Sequence, residues 1–366
     1  MSHLITPSSH AGRAPRRRFA WLSSALSLSL ACASQDATGP GAATPEATST
    51  ASGVDVGAPA TAPASSAPPA TPRALPEFCA GVSDAPPPGP GVRPTKVKDG
   101  FVFVEGPVWS AEQGAFFFSE MDFEHEGKNG PPAKIHRLVL PSSVEVFIPD
   151  SGSNGLAVDG QGLVACTHDT QALSRFDFAT KARQVLAADF HGKHFNSPND
   201  VAIRSSGHVY FSDPDWQLGG RPNETGLTGV YVREPNGEVR LIDGDLVKPN
   251  GVTLSPDETK LYVGSAGGVV EVYPVLEDGS VGPRRAFAEV KEPDGMGVDC
   301  LGRLYVASHS AGEVIVLSPE GQALSVIKVA PRATNVAFGG PDRRTLLITA
   351  GNAIYSLQSA TPGFPY

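Results

Sequence analysis

From about residue 92 onward, apolar and polar residues alternate in short runs broken by turn residues. In KPNGVTLSPDETKLYVG, Lys248 to Gly264, the apolar positions Val252 and Leu254 are two apart. Ser255-Pro-Asp-Glu interrupts them, and Leu261-Tyr-Val resumes the run. A period of two with a turn in the middle predicts a β-hairpin. Five further stretches follow the same plan: EGPVWSAEQGAFFFSE, NGLAVDGQGLVACTH, NDVAIRSSGHVYFSD, DGMGVDCLGRLYVAS and NVAFGGPDRRTLLITA. Their first residues are Glu105, Asn154, Asn199, Asp294 and Asn335, equivalent to Asn250 in the stretch above, so the plan recurs every 41 to 51 residues. That period matches a four-stranded propeller blade. Extra strands with Asn-Gly or Asp-Gly turns, as in GVYVREPNGEVRLID and VVEVYPVLEDGS, fill the intervals. No long amphipathic helical pattern occurs after residue 92. The expected class is all-β, a six-bladed β-propeller.

The repeat also predicts chemistry. The innermost strand of each blade borders the central channel, so equivalent positions form a ring around the axis. Here that ring is Glu105, Asn154, Asn199, Asn250, Asp294 and Asn335, each bearing a side-chain oxygen. Converging carboxylate and amide oxygens, without thiolate or imidazole, suit a hard divalent cation at the channel: Ca²⁺ first, Mg²⁺ or Mn²⁺ next. Taken singly, each Asn or Asp serves equally well as a turn cap; the sixfold recurrence favours the cation. A second set, Glu120, His168, Asp213, Ser265, Ser308 and Ala350, closes each hairpin. It is expected to flank the same pocket farther from the axis.

Composition separates the rest of the chain from this repeat. Arg16-Arg-Arg-Phe precedes a short apolar run ending at Ala31-Cys-Ala33, which reads as an export signal over 1–33. Arg16-Arg17 resembles a twin-arginine signal and Cys32 a lipoprotein attachment cysteine. Both a lipidated and a freely soluble exported product stay open, in the periplasm or at the membrane of a bacterium. Residues 34–91 are rich in Ala, Thr, Ser, Pro and Gly and read as a disordered tether. The propeller follows over 92–358, then a short tail over 359–366. With 29 Lys and Arg against 38 Asp and Glu, the net charge is −9, which argues against nucleic acid and anionic membrane as partners; a small-molecule substrate is the partner expected from the motifs below. Oligomeric state is open. After the signal, Cys79, Cys166 and Cys300 are an odd set without regular spacing and are expected to be buried thiols.

Five motifs in order resemble those of the senescence marker protein/gluconolactonase family, which includes regucalcin and bacterial gluconolactonases. They are Glu-Gly-Pro-Val-Trp at 105, Asn-Ser-Pro-Asn-Asp at 196, Lys-Pro-Asn-Gly at 248, Pro-Asp-Gly-Met at 293 and Thr-Asn-Val-Ala-Phe-Gly-Gly at 334. The similarity runs from about Thr95 to Leu357. It implies a six-bladed propeller with a divalent metal at the central channel, held by Glu105, Asn199, Asn250 and Asp294. Asn154 is implied as a pocket contact, Asp200 as a group orienting Asn199 or water, and His168 and Asp213 as shaping residues. The implied activity is metal-dependent hydrolysis of a lactone, a sugar lactone such as gluconolactone, with Asp294 as general base. Two departures touch substrate recognition: Ser197 replaces a substrate-contacting Arg of regucalcin, and the blade-two segment ACTHDTQALSRFD lacks a basic pair common after the His. Hydrolysis of organophosphates or aryl esters on the same metal, and a non-catalytic binding platform, are the alternatives.

Overall fold

The structure, a computed structural model, describes residues 66–83 and 85–364. It contains six four-stranded antiparallel sheets. Their innermost strands are Val104–Ser110, Ser153–Val158, Val201–Ile203, Pro249–Leu254, Pro293–Val298 and Ala333–Gly339. They define blades one to six. Five blades are simple meanders. In the sixth, the outermost strand is Thr95–Asp99, from the start of the propeller, paired with Ala353–Gln358 near its end. That pairing closes the ring and removes a free edge.

Alternation explains the packing. Apolar positions on the two faces of each sheet meet the neighbouring blades, producing a separate core at each blade interface. Val108, Phe117 and Ile135 of blade one meet Leu156, Leu163 and Phe176 of blade two. Trp109, Phe116 and Phe118 of blade one meet Ala337, Leu347 and Ile354 of blade six, completing the circle.

Each innermost strand runs from its ring residue to the hairpin turn at its other end, so the turns lie on the opposite face. A segment read as tether packs there. Ala70 donates its N–H to the Val275 carbonyl at 2.9 Å and is buried. Arg73 pairs with Glu258 at 2.7 Å. Residues Glu77–Cys79 form a turn of 3₁₀ helix, and Cys79 is bonded to Cys300. Cys79, Cys300, Val298 and Phe364 make a small apolar plug with Phe78 and Val82. This corrects two expectations. Residues 66–83 and 85–91 belong with the folded body although their composition is that of a linker, because a few apolar residues and one covalent bond suffice to hold an extended strap. Cys79 and Cys300 are paired, leaving only Cys166 as a free, buried thiol among the described residues. The export signal, Cys32 and the tether before residue 66 lie outside the described residues.

Candidate active site

Ring residues and turns are tied together by a repeated local device. In blades one, two, four and five the register between the first two strands shifts just past the ring position, as between Glu105 and Val108. The bulge brings neighbouring backbones close together. Gly106, at φ +53°, and Gly295 follow two of the ring residues. A Cβ on Gly106 would stand 2.3 Å from the Asn154 carbonyl oxygen, and one on Gly295 would stand 1.8 Å from the Asn335 side chain. Glycine is required there because the next blade's ring residue occupies the space. Hydroxyls then join the blades: Ser119 donates to the Asn154 carbonyl and Ser212 to the Asn250 carbonyl, both at 2.6 Å.

Five of the six ring residues, Glu105, Asn154, Asn199, Asn250 and Asp294, line one cavity of about 270 Å³. Asn335 is not among the lining residues: its side-chain oxygen accepts from the Val336 N–H at 2.7 Å, and its side chain hydrogen-bonds the Glu105 and Asp200 carboxylates. Around the opening stand Phe103, Met121, Phe123, Trp216, Gln217, Ala266, Glu292, Pro293 and His309.

The second set does not line this cavity. Glu120, Asp213, Ser265 and Ser308 instead hold the loop that leads into their own blade's innermost strand. Val102 donates to Glu120 at 3.0 Å, and Asn196 and Ser197 donate to Asp213 at 2.9 and 2.8 Å. Ser265 donates to the Val247 carbonyl at 3.0 Å and Ser308 to the Lys291 carbonyl at 2.6 Å. The anchored residue lies two or three positions before the ring residue each time, so these side chains fix where the ring oxygens point. In three blades the residue one further along, Met121, Ala266 or His309, reaches the cavity. Side chains alternate faces along a strand, so a one-residue offset exchanges an anchor for a lining residue.

Charge at the floor is under-compensated. Glu105 is buried and pushed well above the usual carboxylate range, first by burial and then by the facing Asp294 charge; its hydrogen bond from the Gly106 N–H works the other way. Asp294 is raised by burial, opposed by a 2.9 Å contact from its Oδ2 to His309 Nδ1. The same contact raises His309. Asp200 lies beneath the ring, outside the cavity lining. It accepts from the Val252 N–H of the next blade at 2.9 Å, and burial lifts it to about 7. Asp213 is likewise lifted to about 7 by burial. His168 is fully buried and lowered to about 4, again by burial, with only the Pro198 carbonyl favouring its charged form. It does not reach the cavity and acts as packing behind it.

Among the described residues, no three His, Cys, Asp or Glu side chains come together as a metal-holding group. Any cation at the floor therefore depends on the amide oxygens. The residue that sequence reasoning missed is His309, hidden by its position one past the repeat's last strand residue. The aromatic wall residues lie in loops that do not repeat, so no periodic signal pointed to them.

A family model described as the SMP-30/Gluconolactonase/LRE-like region matches residues 103–352. A gluconolactonase of Zymomonas mobilis is 32% identical over 71% of this chain and 79% of its own length. A 6-deoxy-6-sulfogluconolactonase of Pseudomonas putida is 28% identical over 69% of this chain and 85% of its own. The solved structure of a gluconolactonase from Xanthomonas campestris superposes with a TM-score of 0.66 at 30% identity, covering 82% of this chain and 99% of that one.

Proposed function

This chain belongs to the SMP-30/Gluconolactonase/LRE-like family, and from that premise we propose that it is a hydrolase that opens lactones by attack of water at the cavity floor. The observation that carries the proposal is the pair Asp294 and His309. Asp294 is a buried carboxylate that lines the cavity and is held at Oδ2 by an imidazole that lines it too. Asp294 takes the proton of the attacking water, and His309 fixes the carboxylate and offers a route for that proton toward the opening. The lactonase names of the relatives support the reaction class.

The floor fits a hard divalent cation. Its donors are all oxygens, and the Asp294 charge adds to burial in raising the proton affinity of Glu105, a conflict that a cation would relieve. Glu105, Asn199, Asn250 and Asp294 would hold it, with Ca²⁺ preferred and Mg²⁺ or Mn²⁺ acceptable. When bound, such an ion polarises the ester carbonyl and balances the oxyanion. Asn154 stands beside these residues as a substrate contact, while Asp200 braces Asn199 from below through its bond to the next blade. The test is hydrolysis of δ-lactones before and after chelation. Activity should vanish on chelation and return with Ca²⁺; full turnover by metal-free protein would refute the ion's part.

Export belongs to the same proposal. It is supported by the basic and apolar leader and by the Cys79–Cys300 bond, a feature of oxidising compartments. A mature chain from the native host that still begins at Met1 would refute it.

A further inference from the structure

The floor and the wall of the cavity differ in chemistry. Oxygens crowd the floor, whereas the wall is largely carbon. Phe103 and Phe123 meet edge to face at 5.2 Å, and Met121, Ala266 and Pro293 continue the surface. Trp216 faces them from the loop after Asp213. Phe123 and Trp216 keep 36% and 37% of their surface exposed, although Phe103 packs against the first and Lys248 lies over the second. Gln217 and Glu292 are the wall's polar members beside His309. Among the described residues no Lys or Arg lines the cavity, and Lys248 is engaged by Asp215 at 2.8 Å and by the Trp216 ring.

We propose, on the lactonase reading above, that the wall formed by Phe103, Met121, Phe123 and Trp216 selects neutral lactones whose ring carries an apolar arm. Two arguments converge. A hydroxyl turned toward these rings gives up its water partners and gains none, which disfavours a polyhydroxylated arm. An alkyl or aryl arm instead covers exposed aromatic surface, and its binding strengthens with each methylene buried. An anionic arm gains no Lys or Arg partner on this wall, where Glu292 stands and the His309 imidazole is already engaged by Asp294. The floor, by contrast, meets only the ester group that all lactones share. Reaction and selection are thus assigned to different residues.

Three six-membered lactones, each rate taken relative to the lactone's own uncatalysed hydrolysis, separate these contributions: δ-valerolactone with no arm, δ-decanolactone with a pentyl arm, and glucono-δ-lactone with hydroxyls on three ring carbons and a hydroxymethyl arm. With Ca²⁺ present, kcat/KM for δ-decanolactone should exceed that for δ-valerolactone by roughly 10- to 100-fold and should also exceed that for glucono-δ-lactone. In the double variant Trp216→Ala/Phe123→Ala the ratio of δ-decanolactone to δ-valerolactone should fall at least about 5-fold. Both side chains are partly exposed, and an unchanged thermal midpoint confirms that the variant folds. Equal efficiency on all three, preference for glucono-δ-lactone, or an unmoved ratio in the variant overturns the selection proposal and leaves the lactonase reading standing. Turnover of none of the three defeats the lactonase reading itself.

Discussion

Asp294 and Asp299 lie at opposite ends of one short strand, Pro293–Val298 and the turn after it, and both are buried. Burial raises both above the usual carboxylate range. They differ in what answers the charge. Asp299, on the strap face, receives Arg303 Nε at 2.7 Å, the Leu301 and Arg303 N–H groups at 2.9 and 3.1 Å, and the Tyr305 hydroxyl at 3.2 Å. Arg303 in turn bonds the Ala85 carbonyl at 2.7 Å and the Thr361 hydroxyl, fastening strap and tail to blade five. Asp294, on the cavity face, meets His309 and looks toward Glu105. A buried carboxylate alone therefore does not mark a working site. One that lines open volume, has a titratable imidazole in place of a permanent guanidinium and faces a second buried carboxylate does.

The largest effect expected from this contrast is on rate. Asp294→Asn keeps the shape and one oxygen but cannot accept a proton, so kcat should fall by roughly 10²–10⁴-fold and stay low in excess Ca²⁺. Its thermal midpoint should hold or rise, because a charge facing Glu105 is gone. Asn199→Ala, which removes a proposed ligand without a proton-transfer role, should regain part of its rate as metal is raised. Near-wild-type turnover by Asp294→Asn at saturating Ca²⁺ would move the base elsewhere.

The reverse pattern is expected at the other end of the strand. Asp299→Asn leaves the Arg303 guanidinium buried without its counter-charge, which should cost about 3–5 kcal/mol of stability in urea unfolding. Replacing both, Asp299→Asn with Arg303→Met, should recover most of that loss. Rates per folded molecule should not change in either. A rate loss matching that of Asp294→Asn would end the distinction between the faces.

Much of the cavity face was legible because it repeats. Six hairpins of similar length fixed the architecture, and the recurrence of Glu, Asn or Asp at one register position gave a ring of which five members share a cavity. The anchor positions were legible too, but their role was misplaced by one residue, since Ser308 and His309 point to opposite sides of the same strand. The strap face was not legible. Its contacts join residues far apart in sequence, such as Cys79 with Cys300 and Ala85 with Arg303, and none follows a period. A stretch of Ala, Pro and Thr reads as linker because its few apolar members, Ala70, Phe78 and Cys79, matter only against a surface that the propeller supplies.

The smallest effect, and the most direct test of whether the faces are independent, concerns the Cys79–Cys300 bond. It closes a loop with a sequence separation of 221 residues; chain entropy alone would set the effect of so long a loop at about 5 kcal/mol, whereas disulfides typically deliver about 2–4 kcal/mol. The strap has other holds, among them the buried Ala70, the Arg73–Glu258 pair and the Phe78 contact with Phe364. Cys79→Ala with Cys300→Ala should therefore lower the unfolding midpoint by an amount toward the lower end of that range, while the propeller remains closed by Thr95–Asp99 against Ala353–Gln358. Reductant should shift the wild type toward the variant and leave the variant where it is. Lactone turnover should stay the same in both, because the bond lies at the turn end of blade five and the ring oxygens are held from the other end by Ser308 and its counterparts. A change in kcat beyond about twofold, with the fold intact, would show that strain at the strap reaches Asp294 along Pro293–Val298 and would join the two faces into one device.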